Sequence, residues 1–116
     1  MFCTDDHAGF RSVLRALIEA TPGFVHVGEA CSGEEAAMLV PTIRPDLVLM
    51  DVHMPGIGGP RAAELLVRTR RDLIVALISA DPIELPADFS TRGGRIATLA
   101  KDELCPRTLL DLWHGR

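Results

Sequence analysis

The chain has no tyrosine, one tryptophan and four phenylalanines, so aromatics make up only 4% of its 116 residues. With 47% of residues hydrophobic, the apolar content rests on Val, Ile, Leu and Ala, which suits strands buried on both faces of a parallel sheet and excludes disorder. No apolar run approaches the about 20 residues a membrane span needs, and there is no charged-then-apolar leader. The expectation is a soluble, cytoplasmic protein without membrane contact. Basic residues are also scarce: 12 Lys and Arg against 16 Asp and Glu give a net charge of −4 and an isoelectric point near 5.5. Binding a phosphate backbone requires clustered cations, so this balance argues against direct nucleic-acid binding. The densest basic patch, Arg68, Arg70 and Arg71, reads as the solvated end of a helix. Cys3, Cys31 and Cys105 show no CxxC spacing, which supports neither a disulfide framework nor a zinc ribbon. They are expected to be reduced and mostly buried thiols. His7, His26, His53 and His114 form no i, i+4 pair, which argues against a transition-metal site.

What is present is an alternation of apolar runs with helical stripes, on a chain long enough for one domain, residues 1–116. Met1 to Thr4 is β-prone and runs into Asp5 and Asp6. From Ala8 to Ala20, Phe10, Val13, Leu14, Leu17 and Ile18 form a helical stripe, which Thr21-Pro22-Gly23 ends. Phe24 to Ala30 reads as a second strand. Ser32 is placed to cap a helix from Gly33 to about Val40, with Glu34 and Glu35 at its positive end, and Pro41 should end or kink it. Leu47 to Met50 forms a third strand closing on Asp51. A Pro/Gly-rich loop follows, and Gly58-Gly59-Pro60 opens a helix to about Thr69, with Ala62, Leu65, Leu66 and Thr69 inward. Leu73 to Ile78 is a fourth strand and delivers Ser79. Pro82, Pro86, Gly93 and Gly94 leave room only for a short helix around Leu85 to Thr91. A fifth strand, Arg95 to Ala100, ends at Lys101, and a last helix opens near Pro106 with Leu109, Leu112 and Trp113. Strands alternating with helices in this way make an α/β fold, a doubly wound parallel sheet.

The polar residues of this pattern collect at strand ends: Asp5 and Asp6, Asp51, Ser79 and Lys101. In open α/β sheets, ligands bind at the carboxyl ends of the strands. Adjacent acids such as Asp5 and Asp6 repel one another unless a cation or solvent intervenes, although an Asp there also serves as a helix cap. Three carboxylates together raise one another's pKa, so the set makes sense with a hard divalent cation. A hydroxyl and an ammonium opposite a metal-bound carboxylate form a cradle for a tetrahedral anion, the outline of a phosphoryl-transfer site.

These residues resemble the receiver domain of bacterial two-component response regulators over essentially the whole chain. The resemblance is carried by DDH at Asp5 to His7, PDLVLMDVHMPGIGG around Asp51, LISAD around Ser79 and LAKDEL around Lys101. It implies a flavodoxin-like fold with strand order 2-1-3-4-5. It implies that Asp51 accepts a phosphoryl group from a phosphohistidine on a sensor histidine kinase or phosphotransfer protein. Mg²⁺ would be held by Asp6, Asp51 and the backbone carbonyl of His53, with Asp5 binding directly or through water. Ser79 and Lys101 would each contact a phosphoryl oxygen. Such a protein is a signalling phospho-acceptor and not an enzyme acting on a separate substrate. Receivers also pair as homodimers.

The chain departs from the family pattern in two places. Asp102 follows Lys101 where Pro is usual, and Thr98 stands where most members carry the aromatic that swings inward on activation. The first strand is short, which leads us to expect a native start upstream of Met1 or a clipped central strand. The end at Arg116 fits either a stand-alone receiver or one cut from a longer regulator. Rival readings fit less well. Asp51-Val52-His53-Met54-Pro55-Gly56 matches the cobalamin motif DxHxxG, but two strands precede it and Gly93-Gly94 comes too soon. A dehalogenase-type phosphatase needs a second Asp where His53 stands, and the GIGG glycines lack dinucleotide spacing. A receiver-like adaptor that is not phosphorylated is the remaining alternative.

Overall fold

The two most apolar runs of the chain become the centre of the sheet. The protein was analysed as a computed structural model, which describes residues 1–80 and 95–114. Strands β1 (Phe2–Thr4), β2 (Gly28–Ala30), β3 (Leu47–Asp51), β4 (Ile74–Ser79) and β5 (Arg95–Ala100) pair in parallel in the order β2-β1-β3-β4-β5. This is the doubly wound order expected from the resemblance. Helices α1 (Ala8–Ala20), α2 (Gly33–Ile43), α3 (Gly58–Val67) and α4 (Pro106–His114) cover its two faces.

The period of two along a strand divides the core into two layers. Cys3, Leu47, Leu49, Ile74, Ala76 and Ile78 meet Leu14, Ile18, Leu109 and Leu112 of α1 and α4. Phe2, Val48, Met50, Val75 and Leu77 meet Ala36, Val40, Ala62, Ala63, Leu66 and Val67 of α2 and α3. Each strand of β3 and β4 is therefore buried on both sides, which is why its sequence shows no polar alternation. Continuing the pleat past Leu49 puts Asp51 on the α1/α4 side, in line with Cys3 and Asp5.

Several local expectations are corrected. β2 is only Gly28–Ala30, because its ladder needs β1 as partner and β1 offers Phe2 to Thr4. Through the backbone the preceding residues reach β1's side of the sheet only at Met1, by Val27 N–H to Met1 O at 2.9 Å and the Met1 ammonium to Val25 O at 2.6 Å. α2 runs through Pro41 to Ile43 and ends in a left-handed cap at Arg44, whose N–H reaches Val40 O at 2.7 Å. Pro41 itself lies on the exposed side of the helix. Val13 is 57% exposed and Leu65 47%, so neither faces inward. The buried apolar residues of α3 are Gly59, Ala62, Ala63, Leu66 and Val67, with Glu64 buried beside them, and Thr69 lies past the helix end. Of the cysteines, only Cys3 is buried, and burial pushes its thiol up to about 11; Cys31 and Cys105 are exposed. The short helix expected around Leu85 to Thr91 lies outside the described residues. Among the described residues no helix is long and apolar enough to cross a membrane.

Candidate functional site

Strand register alone brings the expected polar residues to one edge. Thr4 is level with Met50 and Asp51 with Ile78, so Asp5 and Asp51 are the next residues along neighbouring strands. Ser79 is level with Ala100, which places Ser79 one step and Lys101 two steps beyond that line. Asp5 and Asp51 are both buried, and Ser79 with them. Asp6 is exposed, at the start of the turn into α1.

The two buried carboxylates are arranged unfavourably for an isolated protein. Asp5 Oδ1 accepts from His7 N–H at 2.8 Å, closing the turn that starts α1, but Asp5 Oδ2 is buried without a hydrogen-bond partner. One Asp5 oxygen is thus spent on the turn into α1 and the other is left unpaired. Asp51 Oδ1 accepts from His53 N–H at 3.3 Å. Burial holds the Asp51 carboxyl above its usual range and the Asp5 carboxylate pushes the same way, while the His53 N–H and the Lys101 charge oppose them. Leaving a buried carboxylate oxygen unpaired beside a second carboxylate is costly, and a hard cation is what such a donor set fits.

Asp6 completes the acidic edge. Its Oδ1 lies 3.0 Å from His7 Nδ1, which is also 3.4 Å from Asp5 Oδ1. Asp5, Asp6 and His7 thus present ligand atoms within 4.8 Å of one another. His7 is a member of this cluster that the sequence offered only as the third residue of the DDH motif, with no ligand role. Its position directly after the two acids, before the first helix, was the available signal.

The loop after Asp51 is held by small residues and one acid. Gly56 has φ of +83°, and a side chain there would run into the Glu34 carboxylate, whose Oε1 accepts from Ile57 N–H at 3.4 Å. A side chain at Gly59 would strike the Asp51 backbone carbonyl, so only glycine lets α3 begin this close to β3. Glu34 sits in the first turn of α2, whose Ser32 cap accepts from Glu35 N–H at 3.0 Å as expected. Two helices and the loop are in this way registered against β3.

Lys101 opens a 3-10 turn over Lys101–Glu103, so the chain turns here without the usual proline. Its ammonium lies 4.4 Å from the centre of the Phe10 ring on α1. The sequence offered Phe10 only as a core position; the proximity of α1 to the end of β5 makes it a seat for the site's cation. Thr98 is exposed on β5, level with Leu77.

Residues 1–102 match the response regulator receiver domain family. The chain belongs to that family. The response regulator GacA of Pseudomonas viridiflava is 34% identical over 106 residues, a match covering 84% of this chain and 50% of GacA. The nitrate/nitrite response regulator NarL of Escherichia coli is 31% identical over 110 residues, covering 95% of this chain and 50% of NarL. The chain thus spans about half the length of these curated relatives. Among solved structures, the signal receiver domain of NarL from Mycobacterium tuberculosis superposes with a TM-score of 0.82 at 29% identity, covering 99% of this chain and 95% of that one. The response regulator domain of Thermotoga maritima CheB gives 0.79 at 26% identity, covering 97% and 92%. This receiver therefore carries the fold of its family and, at the carboxyl edge of its sheet, a cluster of Asp5, Asp6 and His7.

Proposed function

We propose that residues 1–116 act as one receiver domain in which Asp51 is the phosphoryl acceptor. The observation that carries this reading is the buried Asp5 and Asp51 pair at the carboxyl edge, with Asp5 Oδ2 left without a partner. An Asp51 carboxylate oxygen attacks the phosphorus of a phosphohistidine on a sensor histidine kinase or phosphotransfer protein. The new P–O bond makes an acyl phosphate, and the P–N bond breaks with its electron pair going to the imidazole, which takes up a proton. The reaction needs Asp51 ionised, which a cation offsetting the Asp5 charge would favour. A magnesium ion held by Asp5, Asp6, the Asp51 carboxylate and the His53 backbone carbonyl would supply positive charge against the carboxylates and the phosphoryl oxygens. The Ser79 hydroxyl donates to one phosphoryl oxygen, and Lys101 pairs with another. For Lys101 this exchanges the Phe10 ring for a full negative charge, giving up a contact worth about 0.5–1 kcal/mol. The setting is the cytoplasm, where the kinase and phosphotransfer domains reside.

The test is incubation with acetyl phosphate or phosphoramidate and Mg²⁺, followed by intact-mass measurement. Wild type is expected to gain one phosphoryl group, lost on treatment with EDTA beforehand and absent in Asp51→Ala. No gain in wild type under conditions that load another receiver would replace this reading with that of an adaptor binding its partners unphosphorylated.

A further inference from the structure

On the α1/α4 side of the sheet, one pleat repeat below Asp5, three ligand-type side chains converge. Cys3 and Glu29 are register partners in the β1 and β2 pair, so they leave the sheet on the same side, and His26 reaches them from the segment entering β2. Cys3 Sγ lies 3.7 Å from His26 Nε2, and Glu29 Oε2 lies 3.4 Å from that same nitrogen. All three donor atoms lie within 4.8 Å of one another.

The arrangement is not a nucleophile relay. A Cys-His-carboxylate relay needs the carboxylate on the ring nitrogen opposite the one facing sulfur. Here both neighbours face Nε2, which carries one proton at most and cannot satisfy two. Glu29 Oε2 records the conflict: it is buried and accepts no hydrogen bond. Three donors around one point suit a metal instead. Tetrahedral zinc, with bonds of about 2.3 Å to sulfur and about 2.0 Å to nitrogen and oxygen, holds its donors roughly 3.3–3.6 Å apart. The Nε2 to Oε2 distance falls inside that range and the Sγ to Nε2 distance just above it.

We propose that Cys3, His26 and Glu29 form a three-ligand site for a borderline-soft divalent metal, zinc being the type, with a fourth position open to water. Thiolate, imidazole and carboxylate together select this class over Mg²⁺ or Ca²⁺. The two Glu29 oxygens divide the work. Oε1 lies 3.3 Å from Arg11 Nε and stays with that guanidinium, while the unpartnered Oε2 takes the metal. Arg15 approaches Oε2 at 3.7 Å through a half-exposed side chain that also donates to Ser12 Oγ at 3.5 Å, on the solvent side. Arg11 is also held by Asp5 O at 2.7 Å, so it keeps its place when Glu29 turns. His26 and Glu29 are partly open to solvent, at 16% and 32%, which provides an entry path to the buried sulfur. The site is independent of the phosphoryl-acceptor reading.

Cobalt is the probe, because a thiolate bound to Co²⁺ absorbs by charge transfer in the near ultraviolet and tetrahedral Co²⁺ absorbs strongly in the visible. The full chain is titrated with Co²⁺ in a Cys31→Ser, Cys105→Ser background, with Mg²⁺ in excess to occupy the acidic edge. One equivalent is expected to bind with both signatures and to be displaced by Zn²⁺. His26→Gln and Glu29→Gln, both at partly exposed positions and checked for folding by circular dichroism, are expected to weaken it at least about tenfold, and Asp6→Asn to leave it unchanged. Absence of the charge-transfer band, affinity unchanged in the folded His26→Gln protein, or loss in Asp6→Asn would each overturn the proposal.

Discussion

The two edges of the sheet handle charge in opposite ways. At the amino edge Arg70 meets both Asp46 and Asp72, and Arg95 is held by a backbone carbonyl. Arg70 donates to Pro45 O at 2.7 Å and to Asp72 Oδ1 at 3.0 Å and lies 3.5 Å from Asp46, while Arg95 donates to Leu112 O at 2.9 Å. At the carboxyl edge, two like-charged carboxylates are buried side by side, and buried oxygens of Thr4 and Asp5 have no hydrogen-bond partner. The same strands end in both places, so the difference does not come from the fold. An edge that pairs its charges adds to stability; one that buries carboxylate oxygens without a partner costs it, as functional sites commonly do.

Three measurements break or sharpen this contrast. The largest effect is expected from magnesium. At about 100 times its dissociation constant it should raise the unfolding free energy by about 2.7 kcal/mol, read from urea melts. Asp5→Asn should lose most of that gain and Arg70→Ala should keep it; an equal gain in Asp5→Asn would move the cation away from the carboxyl edge. Next in size is the amino edge itself. Arg70→Ala is expected to lower stability by about 1–2 kcal/mol, since it removes a charged hydrogen bond to a buried carbonyl. A midpoint unchanged within error would mean that the pairing there is ornamental. The smallest effect is in pH. The folded-state pKa of Asp51 is raised, so the fold favours its protonated form. That contribution is complete below the ordinary carboxylate value of about 3.9 and is lost as pH rises through the raised folded value. In metal-free buffer, Asp51→Asn should therefore become more stable than wild type as pH climbs out of the acid range. A difference that shrinks over that interval would contradict the unfavourable placement of Asp51.

Much of the architecture could be read from residue order. Leu47 to Met50 and Leu73 to Ile78 announce themselves as central strands because burial on both faces removes every polar residue. Ser32, three residues ahead of Glu35, carries its own capping chemistry. α1 has the expected bounds, but its exact rotation was not legible: Val13 fits a helical stripe as well as Leu17 does, and only packing on β1 and β3 decides which one turns outward. Pro41 was misleading for a related reason. Its penalty is local, whereas the burial of Ala36 and Val40 that carries α2 onward is tertiary.

The candidate site divides along the same line. Asp5, Asp51, Ser79 and Lys101 could be assigned in advance because each follows an apolar run, and parallel strands deliver their ends to one edge. That much the sequence determined by itself, since strand ends follow from local hydrophobic pattern and edge from parallel topology. The seat of Lys101 on Phe10 and the meeting of Cys3, His26 and Glu29 belong to the tertiary structure alone. The histidine spacing spoke against any transition-metal site, because a spacing rule reads one element at a time. Whether Cys3 stands beside Glu29 depends on the register between β1 and β2, and that register is set by how both strands pack against the helices, across 26 residues of chain.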